Sequence, residues 1–173
     1  GTNPALCFRY QAHGLALLSE LECPAFPSLT ESSFALNPVA IRTGTIPVSS
    51  GAAGDGPGPY GYDAAPGRLR LWIEGVGAFL ALDGTTIVID PAPGSNPAEI
   101  RLYLQGSMLG TILHQRGVMV LHGSAVQTPA GAVVFVADRG IGKSTLAAAM
   151  DQVGYPMLTD DLCTIRGDPQ NGF

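Results

Sequence analysis

The stretch Ala137-Asp-Arg-Gly-Ile-Gly-Lys-Ser-Thr145 constrains this chain more than any other. It follows Ala132-Val133-Val134-Phe135-Val136, which reads as a buried strand, and precedes Leu146-Ala147-Ala148-Ala149-Met150, which reads as a helix. Strand, glycine loop and helix in that order are the sequence form of a phosphate-binding P-loop. Lys143 is the only lysine among 173 residues, against eight arginines, so it is not a general solubilising charge.

Gly140 and Gly142 let the backbone turn tightly enough to aim successive N–H groups inward, and the following helix adds the positive end of its dipole. Lys143 is then placed to reach the β and γ phosphates, with the Ser144 hydroxyl on Mg²⁺. The motif has glycine where this chain has Ala137, a residue that fits only with ordinary L-residue backbone angles. The plainer alternative is a glycine-rich strand-to-helix turn without a ligand.

With 46% hydrophobic and 13% charged residues the chain can build a sizeable core. Its length fits one ordinary domain or two small ones. A net charge of −5 argues against a broad nucleic-acid surface. Cys7, Cys23 and Cys163 are odd in number and widely spaced, as expected of reduced thiols that pack rather than ligate. No apolar run approaches the ~18 residues of a membrane span, and no basic-then-apolar leader is present, so the expectation is a cytoplasmic protein.

Taken in order, Cys7 to Leu21 alternates around Gly14, with Phe8, Tyr10, Leu15 and Leu17 facing inward, which predicts two strands joined near His13-Gly14. Val39 to Arg42 predicts another strand. Ser49 to Gly67 holds six glycines and three prolines and reads as a loop, with Tyr60 and Tyr62 in it. Leu69 to Glu74, Ala78 to Leu82 and Thr86 to Asp90 predict an antiparallel meander, its second turn at Asp83-Gly84. Asn96-Pro97-Ala98-Glu99 starts a helix whose apolar positions, Ile100, Tyr103, Leu104, Met108, Thr111 and Ile112, run to a stop at Gly117. Val118 to Leu121 and Ser124 to Gln127 read as two strands separated at His122-Gly123. After the loop's helix, Gly154 and Pro156 lead to a short strand, Met157 to Thr159, that delivers Asp160 and Asp161, and Leu162 to Ile165 continues the apolar pattern.

Phosphoryl transfer needs an acid to hold Mg²⁺ and often a base for the acceptor hydroxyl, and the Asp160-Asp161 pair can supply both. Adjacent strand residues face opposite ways, so a bulge or strand end must bring them to one site. Two solvated loop acids are the plainer reading of the pair, and a structural histidine that of His122.

In its His122-Gly123 step, its Gly140-Ile-Gly-Lys-Ser144 loop and its Gly154 to Asp161 segment, the chain resembles the HPr kinase/phosphorylase superfamily. The earlier residues, with the Leu-Trp meander, the turn from Asp90 to Pro93 and the long helix, are similar to the HPr-kinase-like proteins of lasso-peptide gene clusters. The resemblance implies an α+β fold: an antiparallel-sheet domain over residues 6–117, selecting substrate, and an HPr-kinase-like P-loop core over 118–173, its N-terminal part only, since relatives continue well beyond this point. It implies an ATP-dependent serine kinase acting on a peptide or small protein, such as the C-terminal serine of a lasso precursor. ATP would be held by Arg139, Gly140, Ile141, Gly142, Lys143, Ser144 and Thr145, and Mg²⁺ by Ser144 and Asp161. Asp160 would take the serine proton, with His122 and Lys143 completing the catalytic set. The alternatives are a nucleotide-binding module without transfer activity, or an HPr kinase/phosphorylase acting on a carrier protein. Neither nucleic acid nor membrane is an expected partner, and homo-oligomerisation is left open.

Overall fold

The computed structural model describes residues 6–29, 38–47, 59–138 and 140–167. The chain is mixed α+β, rich in sheet and poor in helix, and divides between Arg116 and Gly117 into two compact units. No helix among the described residues is long and apolar enough to cross a membrane.

The first unit is a seven-stranded sheet. Strands β1 (Phe8–Ala12) and β2 (Leu15–Ser19) form a hairpin whose two turn residues, His13 and Gly14, both have positive φ, 50° and 72°. That is the turn whose twist matches antiparallel strands. It is followed by β3 (Val39–Thr43), β4 (Tyr60–Ala65), β5 (Arg68–Ile73), β6 (Gly77–Leu82) and β7 (Thr86–Pro91), and the spatial order is β1-β2-β3-β7-β6-β5-β4.

Two expectations need correction here. The sheet is mixed rather than antiparallel, because β3 lies parallel to both β2 and β7. Alternation reveals a strand's faces but not its partner, and parallel neighbours are joined by long connections that leave no local signal. Part of the glycine-rich stretch is also a strand: Tyr60–Ala65 pairs with β5 across the Pro66-Gly67 turn. Its composition is diluted by residues 49–58, which lie outside the described residues except as sequence. Tyr60 and Tyr62 stand exposed on this edge strand.

Leu17, Val39, Ile41, Phe79, Ala81, Ile87 and Ile89 make one fully buried sheet face. A helical segment supplies Leu104, Met108, Leu109, Ile112 and Leu113, all fully buried, and Phe79 meets Tyr103 at 5.9 Å between ring centroids. The expected continuous helix is α1 (Pro97–Tyr103), a π-helical turn (Leu104–Met108) and α2 (Leu109–Gln115). Ile100, Leu104, Met108 and Ile112 are spaced by fours, and each such step overshoots a 3.6-residue turn by about 40°. A wider π turn absorbs one extra residue and brings the stripe back onto the sheet. Thr111 is outside this stripe, its hydroxyl donating to Ser107 O at 2.8 Å. Asn96 caps α1, its side chain accepting from Ala98 N at 3.0 Å. On β5 the buried residue is Arg70, with the Trp72 ring centroid 5.1 Å from its guanidinium, while Leu69, Leu71 and Ile73 are half-buried.

The second unit is built around one long strand, β8 (Met119–Thr128). Its strand does not break at His122-Gly123 as expected. One edge pairs with β9 (Gly131–Val136), and the other with β10 (Met157–Thr159) and β11 (Leu162–Ile165), all antiparallel. Helix α3 (Lys143–Gln152) follows the glycine loop. Contrary to expectation β9 is not buried: Val133 and Val136 are exposed.

Leu104→Ala should cost about 3–5 kcal/mol in urea denaturation, as a large deletion from a filled core. Leu102→Ala, on the exposed side of the same helix, should stay within about 0.5 kcal/mol.

Candidate functional site

Antiparallel β8 and the β10–β11 line keep one register across the Asp160-Asp161 gap, with Thr159 opposite Ala125 and Leu162 opposite His122. In regular strand the two carboxylates would point to opposite faces. Instead Asp161 takes a left-handed backbone, φ 82°, a conformation aspartate tolerates better than most residues. The Thr159 hydroxyl donates to Leu162 O at 2.9 Å and braces the interruption. Both carboxylates thereby line the same cleft of about 350 Å³, together with His122, Ser124, Gly140, Gly142, Lys143, Ser144 and Thr145.

Within it, one oxygen of Asp160 is shared. Ser124 Oγ donates to Asp160 Oδ1 at 2.5 Å and Ser144 Oγ donates to the same atom at 2.9 Å. Asp161 Oδ1 lies 3.0 Å from His122 Nδ1, a pair that is largely exposed. The Ser124 hydrogen bond holds the Asp160 carboxyl below the usual carboxylate range; partial burial opposes it, and Ser144, the Asp161 backbone and His122 act with it.

The loop has the shape its glycines predict. Gly140 and Gly142 have φ of 84° and 95°, and Gly142 caps α3 without a side chain, leaving that role open at the first-turn N–H groups. Ala137 is not among the residues with positive φ, so alanine fits there. Lys143 Nζ donates to the carbonyls of Ala137 (2.7 Å) and Asp138 (3.0 Å), lying across the loop. Ile141 is 71% exposed and does not line the cleft. Arg139 lies outside the described residues.

Two features of β8 serve this site. A Cβ at position 123 would sit 2.6 Å from Phe135 O, so Gly123 permits the close approach of β9, the strand leading into the loop. Ser124 is the residue the sequence reading passed over. The signal was present: His122 and Ser124 are two apart, hence on one face of a strand, but splitting the segment at Gly123 hid that relation.

Comparison with known proteins yields no match to any family model, curated protein or solved structure.

Gly123→Ala should destabilise the second unit by about 1–3 kcal/mol through overpacking, read as a lower melting temperature. A carboxyl with a depressed folded-state pKa contributes stability above its unfolded value, about 3.9, and loses it as pH falls through the folded value. The stability gap between the native chain and Asp160→Asn should therefore be widest above about pH 5 and shrink towards pH 3, as measured by urea midpoints.

Proposed function

We propose that the second unit is the nucleotide site of an ATP-dependent serine kinase acting on a peptide or small protein. The observation that supports it best is the contact between the loop hydroxyl and the strand-gap carboxylate, Ser144 Oγ to Asp160 Oδ1, with Lys143 lining the same cleft. Glycine loop, lysine, hydroxyl and carboxylate are the parts phosphoryl transfer requires.

In this reading the N–H groups from Gly140 to Thr145 hold phosphate oxygens, and the Lys143 ammonium exchanges the Ala137 and Asp138 carbonyls for the β and γ phosphates. Ser144 Oγ and Asp160 Oδ1 are hard oxygen donors 2.9 Å apart. Both would hold Mg²⁺, a cation that takes oxygen ligands. When bound there, the cation would neutralise charge on the transferring phosphoryl group.

The geometry favours an exchange of roles between the two aspartates. Asp160, beside Ser144, suits the cation; Asp161, beside His122, suits the proton. With His122 Nδ1 engaged by Asp161, Nε2 is the ring atom left to accept the acceptor serine's proton. The serine oxygen then bonds to the γ-phosphorus as the bond to the ADP oxygen breaks.

The acceptor is proposed from the resemblance alone, which makes a peptide with a C-terminal serine the first substrate to try and a carrier-protein serine the second. Incubation with γ-labelled ATP and such acceptors should label serine, and Lys143→Ala should lower the rate roughly 10²–10³-fold. If the folded chain binds ATP but labels no acceptor in the panel, the reading gives way to a nucleotide-binding module without transfer activity.

A further inference from the structure

We infer that Ser124 is a positioning residue of this site, fixing the Asp160 carboxylate in the orientation in which it and Ser144 receive a divalent cation. The inference rests on the kinase reading, in which Asp160 and Ser144 hold that cation.

Asp160 has little of its own to fix it. It is exposed and sits in the gap between β10 and β11, where the Gly123 N–H donates to Asp161 O at 3.2 Å and holds the backbone, while the carboxylate itself is held by its hydroxyl partners. Ser144 cannot supply the missing constraint, since it is itself exposed and stands in the first turn after the glycine loop. Ser124 differs in each respect. It is fully buried, it lies in the middle of the longest strand of the unit, and that strand is paired with Phe135 of β9 at this position.

A serine hydroxyl has one proton to donate, and here it goes to Asp160 Oδ1 at 2.5 Å, the oxygen that also meets Ser144. The donor is thus anchored in the rigid part of the unit while the acceptor is at its surface. Cation sites depend on such outer contacts, whose removal typically lowers metal affinity roughly 10–100-fold. A purely structural serine would behave otherwise: its loss would lower the melting temperature and leave the metal affinity of the folded chain unchanged.

The test uses the full chain, Mn²⁺ as the probe and a non-hydrolysable ATP analogue, with free Mn²⁺ read by electron paramagnetic resonance. Ser124→Ala should weaken Mn²⁺ binding in the presence of the analogue roughly 10–100-fold. Ser124→Thr, which keeps the hydroxyl, should restore most of it, and the analogue's affinity without metal should be the same in all three proteins. If Ser124→Ala does not fold, Ser124→Cys, with a weaker donor, carries the same expectation. Mn²⁺ affinity within twofold of the native chain in the folded variant overturns the inference and leaves the kinase reading standing. A native chain that binds no Mn²⁺ with the analogue overturns both.

Discussion

A single carboxylate oxygen, Asp160 Oδ1, joins parts of the second unit that are distant in sequence. Through Ser124 it is tied to the central strand, and through Ser144 to the helix that opens from the glycine loop. Asp160 lies opposite Ser124 in the register that Thr159–Ala125 and Leu162–His122 define, so this pair meets directly across the two strands. The interruption at Asp160-Asp161 includes one left-handed residue, and both carboxylates line the same cleft.

The rest of the unit follows from keeping that cleft in place. Gly123 lets β9 lie close to β8, which sets where the glycine loop begins. The two loop glycines turn the chain so that α3 starts with its bare N-terminus at the cleft. Lys143 and the helix N-terminus line it together with the two carboxylates, with His122 against Asp161.

How much of this was legible depended on the range of the interaction. Glycine positions, the Asn96 cap and the His13-Gly14 and Asp83-Gly84 turns are set by neighbours in sequence, and each was readable there. The loop, its helix and the strand before Asp160 were readable for the same reason. Partner choice was not: nothing near Val39 announces that β3 lies between β2 and β7, or that Tyr60–Ala65 will find an edge. Ser124 was missed because a glycine, taken as a break, marks instead a close approach between strands. The contacts of Asp160 with Ser144 and of Asp161 with His122 were beyond reach, since they depend on the backbone geometry of the gap. In the first unit the four-residue spacing from Ile100 to Ile112 pointed to a helix, but only the π turn explains why that spacing stays on one face.

Lys143 also gives this molecule an unusual chemical simplicity. Within these 173 residues it is the only side chain ending in an aliphatic amine, and its nitrogen rests on two loop carbonyls. An amine-selective acylating reagent thus has one internal target besides the α-amino terminus. The extent of acylation at Lys143 itself, read on the peptide that carries it, reports on the glycine loop without any engineered label.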